Sequence, residues 1–88
     1  MESRPHVDSR LWVAPNPGKW LHLEIEPSLE CIARLRLFDV TGHSVLERTL
    51  PRGVADFDWS ESKALNPGWY LLDLNSACRK LRVGWVKE

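Results

Sequence analysis

The chain has no surplus of charge of either sign: its 88 residues carry 12 Lys and Arg against 12 Asp and Glu. A nucleic-acid footprint needs basic excess on one face, so that class of partner is not expected. Long apolar runs are missing too. None approaches the roughly 18 residues of a membrane-spanning helix. The opening MESRPHVDSR is too polar for a secretory leader, so any export signal is expected upstream of it. Cysteine is scarce, with Cys31 and Cys78 alone and neither a C-x-x-C nor a His spacing beside them, which argues against a zinc module. The two thiols either bridge, closing a separation of 47 residues, or sit as small buried hydrophobes.

Catalytic signatures are equally sparse. His6, His22 and His43 fall in a tail, on a polar strand face and in a turn, with no i, i+4 pair and no evident carboxylate to orient them, and read as solvated. Ser60 and Ser62 flank Glu61 without the glycine elbow that presents a nucleophile. Asp56 and Asp58 lack the loop that would hold calcium, and there is no Gly-rich phosphate cradle. No cofactor, metal or catalytic residue is expected, and the chain does not read as an enzyme.

What is present is alternation. Trp20–Glu26 sets Leu21, Leu23 and Ile25 on one face against His22, Glu24 and Glu26 on the other, the pattern of a half-buried strand. Ile32–Val40 places Ala33, Leu35 and Leu37 opposite Arg34 and Arg36, then meets a turn at DVTGHS, where Asp39 offers side-chain bonding and Gly42 a positive φ. Val45–Leu50 follows as its hairpin partner. Val54–Trp59 is expected to bury Ala55, Phe57 and Trp59. Leu11–Ala14, Trp69–Leu74 and Leu81–Val86 complete seven short strands with no helix of useful length. The reading is an all-β fold: a seven-stranded antiparallel β-sandwich, immunoglobulin-like in size, over residues 11–88, preceded by a linker or tail at 1–10. Two Asn-Pro-Gly corners, Asn16–Gly18 and Asn66–Gly68, each lead into an aromatic strand start, and Trp20, Trp69 and Tyr70 are expected to close the ends of the core.

The order of these motifs, from WVAPNPGKWLHLEI through ARLRLFDVTGHSVLERTL and FDWSESKALNPGWYLLDL to CRKLRVGWVKE, resembles the C-terminal sorting domain of the type IX secretion system of Bacteroidetes-type bacteria. The resemblance spans residues 11–87. Pro15, Asn16 and Pro17 match its first corner, and Phe38, Asp39 and Gly42 its turn. Leu65, Gly68, Tyr70 and Leu72 match its third motif, and Lys80, Leu81 and Val83 its terminal one. It implies a non-catalytic address carried at the end of a larger cargo protein. Such domains are recognised in the periplasm by the type IX secretion machinery, cross the outer membrane and are commonly removed by a sortase-like protease, leaving the cargo at the cell surface or outside the cell. No integral membrane segment and no nucleic acid enter this picture.

Physically, recognition is expected at a sheet edge, where unpaired N–H and C=O groups accept a partner strand. The terminal strand supplies the candidates Arg79, Lys80, Leu81, Arg82, Val83, Val86 and Lys87, its basic side chains governing orientation and encounter. The same charges also protect an edge from aggregation, and an edge-exposing sandwich can associate weakly with itself. The rival reading is a surface adhesion or carbohydrate-binding module, with Trp12, Trp20, Trp69 or Trp85 stacking on sugar rings.

Overall fold

A computed structural model describes residues 10–88. The seven strands are β1 (Arg10–Val13), β2 (Leu21–Glu26), β3 (Ala33–Phe38), β4 (Ser44–Leu50), β5 (Asp56–Trp59), β6 (Gly68–Ser76) and β7 (Lys80–Lys87). They form two antiparallel sheets, β1-β2-β5 and β4-β3-β6-β7. The fold is therefore an all-β sandwich, its strands partitioned in the immunoglobulin manner with the fourth strand paired to the third. The proposed linker lies outside the described residues except for Arg10, which already belongs to β1. Among the described residues no helix is long and apolar enough to cross a membrane.

Alternation decides which side chains meet between the sheets, because successive Cβ atoms point to opposite faces. Leu21, Leu23 and Ile25 of β2 face Ala33, Leu35 and Leu37 of β3 and Tyr70, Leu72 and Leu74 of β6, and all are buried. Trp59 and Trp85 fill the remaining volume and are sealed from solvent. Phase overrules size at two strand starts. Trp20 and Trp69 are out of step with Leu21 and Tyr70, so both point outward, and the expectation that they cap the core is corrected. Ala55 is also exposed, because β5 begins only at Asp56. The polar SESK segment forms a single 3-10 turn, Ser60–Ala64. Its buried Ser62 donates from Oγ to the Trp59 carbonyl at 2.6 Å and accepts the Leu21 N–H at 2.7 Å, tying the turn to β2.

The two Asn-Pro-Gly corners do different work. At the second, Tyr70 is buried and its hydroxyl donates to the Asn66 carbonyl at 2.6 Å, latching the chain as β6 begins. This is the tyrosine corner of immunoglobulin-type sandwiches. Tyr70→Phe should lower stability by about 1–2 kcal/mol by orphaning that contact, with the backbone fold retained in the circular dichroism spectrum. The first corner instead folds against the edge of β7.

The open sides and one end of the sandwich are closed by specific contacts. On the β4–β5 side Arg48, pointing inward from an edge strand, stacks 5.2 Å from the Phe57 ring centre and donates to Glu61 at 3.0 Å. An inward charge of this kind discourages edge-to-edge pairing. At one end a disulfide joins Cys31 to Cys78 with Cα atoms 5.9 Å apart. Beside it the Arg79 guanidinium donates to the carbonyls of Glu26, Pro27 and Ser28. At the other end of β3, Asp39 accepts at Oδ1 from the Thr41 N–H and hydroxyl and the His43 N–H, and Gly42 takes φ +90°.

The Thr41 hydroxyl foremost holds the Asp39 carboxyl below its ordinary range; desolvation opposes it, and the His43 and Thr41 amides and the charge of His43 add to the lowering. A depressed folded pKa means the turn is stabilised above the usual carboxylate pKa and loses that support as pH falls through the lowered value. An NMR titration should therefore show the Asp39 side-chain carboxyl carbon titrating in acid below the range where model aspartates titrate.

Candidate functional site

The terminal strand β7 is an edge: it pairs with β6 from Gly68↔Lys87 to Asn75↔Lys80 and has no second strand along its length among the described residues. In an antiparallel ladder, alternate residues direct their N–H and C=O to the neighbour and the rest direct them away. The phase is fixed at both ends of β7. Arg79 O accepts the Ser76 N–H at 3.0 Å, so odd-numbered residues bond toward β6. Val86, even-numbered, sends both its backbone groups the other way: its carbonyl accepts the Gly18 N–H at 3.0 Å and its N–H meets Asn16 Oδ1 at 3.0 Å.

This outward traffic at Val86 is the purpose of the first corner. Asn16 also donates from Nδ2 to the Gly84 carbonyl at 3.1 Å, and the Glu88 N–H bonds the Gly18 carbonyl at 2.8 Å. Asn16 and Gly18 thus imitate one short strand laid parallel to β7, closing its edge from the Gly84 carbonyl to Glu88. Gly18 is required for the fit, since a Cβ there would lie 2.6 Å from both Pro15 Cγ and the Pro15 carbonyl oxygen. Trp85 fastens the corner from below, donating from its indole to the Pro15 carbonyl at 3.2 Å. Upstream of the plug, the outward groups of Lys80 and Arg82 and the Gly84 N–H meet no backbone partner among the described residues.

The predicted recognition residues separate accordingly. Lys80 and Arg82 are exposed on the outer face, and Arg82 pairs with Asp73 at 3.0 Å while its side chain stays 72% accessible. Leu81 and Val83 face inward and are half-buried at the rim of the core. Val86 is exposed on the outer face, but its main chain is occupied by the plug. Arg79 is half-buried with its guanidinium on the Glu26, Pro27 and Ser28 carbonyls, and Lys87 is buried with its ammonium 3.3 Å from the Glu88 carbonyl. Of the motif residues, Pro15, Asn16 and Pro17 build the plug, Asp39 and Gly42 the β3–β4 turn, and Gly68 and Tyr70 the latched corner. The outer face carries a further ionic run, with Arg36 and Arg34 at 3.3 and 3.5 Å from Glu47. Trp69, 48% exposed, lays its indole across Gly84, leaving 3.1 Å for any added Cβ. It covers an edge glycine with an aromatic ring.

The outer face of the three-stranded sheet forms a second cluster. His22 lies 3.4 Å from Asp58 and 3.6 Å from Glu24, so the expectation that it has no carboxylate neighbour is corrected. Trp20 donates from Nε1 to Asp58 at 3.1 Å, and the Lys63 ammonium sits 5.6 Å from its ring centre. Ala14, Pro15, Trp20, His22 and Asp58 line a shallow concavity of about 510 Å³. Trp12 stands on the same face, opposite Glu24 in register. No single residue pattern announced this cluster; it arises because β2 pairs with β5, distant in sequence, setting His22 opposite Asp58.

A scan against protein-family models finds no match for the chain, and a search of curated proteins finds none.

Proposed function

We propose that this chain is a non-catalytic sorting domain, carried behind a larger cargo and read by the type IX export machinery through its terminal strand. The supporting observation is that β7, the strand bearing the family-like terminal motif, is an edge strand whose backbone is open beside exposed Lys80 and Arg82. An edge of that kind offers main-chain hydrogen bonds for affinity and alternating side chains for selectivity. The Cys31–Cys78 bridge accords with passage through an oxidising compartment such as the periplasm, on the way to the cell surface or the medium. Release by a sortase-like protease would act upstream of β1.

Deleting residues 79–88 is a poor test of this reading, because it also removes Trp85 from the core and the Arg79 clamp. Charge reversal on the surface is cleaner. In a secreted fluorescent fusion, Lys80→Glu with Arg82→Glu should leave the domain folded and cut surface delivery several-fold, since like charges at a recognition site are strongly disfavoured. Delivery at the unaltered yield would remove β7 from the recognition element.

The concavity at Trp20 favours a second reading, a carbohydrate-binding module, in which Trp20 and Trp12 stack on a sugar and Asp58 or Glu24 accepts hydroxyl hydrogens. Trp85 is sealed in the core, and Trp69 lies on β6 of the other sheet, so neither belongs to this concavity. Saturable quenching of tryptophan fluorescence by a glycan, abolished in Trp20→Ala, would favour this reading over sorting.

A further inference from the structure

We infer that β7 accepts an added strand over Lys80–Gly84 only, and that the strand it takes is an extended segment of another protein alternating apolar and acidic side chains. The inference rests on the sorting reading and specifies its partner. Four sheet edges exist among the described residues, and they are not equally available. β4 carries the inward Arg48 and is bulged at Val45, where its register with β3 shifts between Leu37 and Phe38, and both features spoil regular pairing. β1 and β5 are only four residues long each, and β5 continues into the 3-10 turn. β7 is the longest of the four, and the corner Asn16–Gly18 covers its final stretch. The remaining outward groups, those of Lys80 and Arg82 and the Gly84 N–H, suffice for a partner of about five residues.

Side chains along this stretch specify the partner. On the inner face Leu81 and Val83 are half-buried, so an incoming strand would complete their burial with apolar residues. On the outer face Lys80 and Arg82 stand next to the position of the new strand and favour carboxylates opposite them. A second copy of this chain is a poor occupant. An antiparallel β7–β7 pair centred on the free stretch sets Arg82 against Arg82, a directly opposed like charge that destabilises the ladder.

The test uses the intact chain and a fluorescein-labelled seven-residue peptide of alternating Val and Glu. Fluorescence anisotropy at low salt should show saturable binding. A peptide of alternating Val and Lys should bind at least about tenfold more weakly. Cys78 allows residues 78–88 to be joined synthetically, so the Arg82 amide can be N-methylated. That change removes one outward hydrogen and no bond to β6, and it should weaken the Val–Glu peptide about tenfold. Amide hydrogen exchange gives a readout free of any folding defect. In the free chain Arg82 and Gly84 should exchange fast while Leu81 and Val83 are protected, and the peptide should slow the first pair.

Equal binding to the methylated chain, or no binding at all, would overturn the inference. Protection of Arg82 and Gly84 in the chain alone would overturn it too, since the edge would then be filled by a second copy or by the chain itself. The sorting reading fails separately: a domain that binds the peptide but does not carry a fusion across the outer membrane keeps the strand-acceptor site and loses the address.

Discussion

Trp85→Ala should destabilise the domain by about 3–5 kcal/mol, enough to bring an 88-residue sandwich close to unfolding at 37 °C. Trp85 is fully buried, its ring centre lies 6.0 Å from that of Tyr70, and its indole N–H holds the Pro15 carbonyl. Removing it leaves a cavity beneath β7 and releases the plug from below. Trp69→Ala is the matched control, for its ring lies on the outer face and its loss should cost about 1 kcal/mol or less. Urea titration of both variants measures the difference. Equal midpoints would mean that the two tryptophans have similar burial and that the phase assigned to β6 and β7 is wrong.

Removing the disulfide by the pair Cys31→Ser and Cys78→Ser should cost about 4 kcal/mol. In the loop-entropy account this is the denatured-state freedom restored when a bridge spanning 47 residues is lost. The bridge ties the β2–β3 connection to the β6–β7 hairpin, where the Arg79 guanidinium holds the same connection through three carbonyls. The double variant should therefore fold with a lowered midpoint, and Arg79→Ala added to it should cost more than either change alone. With a urea slope of about 1–3 kcal/mol/M, the disulfide loss alone corresponds to a midpoint shift of ~2 M. An unchanged midpoint under reducing and oxidising conditions would show that the bridge does not constrain the chain in solution.

The sheets were legible because a strand with one buried face must alternate, as β2 and β3 do throughout and β6 does from Leu72 to Asn75. Phase, not bulk, decides which aromatic side chains enter the core. Trp20 and Trp69 precede Leu21 and Tyr70 by one residue, and a period of two places them outside whatever their bulk. The same arithmetic would have exempted both from the core at the outset. Other features were out of reach, since they depend on which strands become neighbours. Asp58 meets His22 only once β5 lies against β2, and Arg48 reaches Phe57 only across the gap between sheets. Asn16 sits in a turn, as its Asn-Pro-Gly context implies, and bonds β7 through both ends of its side-chain amide. Its role as a surrogate strand comes from a partner about seventy positions downstream, which no local pattern encodes.

Zero net charge also concealed an uneven distribution. The outer face of the three-stranded sheet carries Glu24, Glu26, Asp56 and Asp58 against Arg10. Arg34, Arg36, Lys80 and Arg82 stand on the opposite outer face, with Asp73 between them and Glu47 on the β4 edge. The terminal edge thus lies at the border of the more basic side, which suits an acidic partner approaching β7 and disfavours one approaching β5.

Delivery of a fused reporter is the most direct measurement of the account. The whole chain is placed behind a secreted fluorescent protein in a bacterium that possesses a type IX apparatus, and the reporter is assayed in the periplasm, on the surface and in the medium. The account predicts surface or medium fluorescence that disappears when the apparatus is inactivated and falls with the Lys80→Glu, Arg82→Glu pair. A folded fusion held in the periplasm of cells with a working apparatus would contradict it.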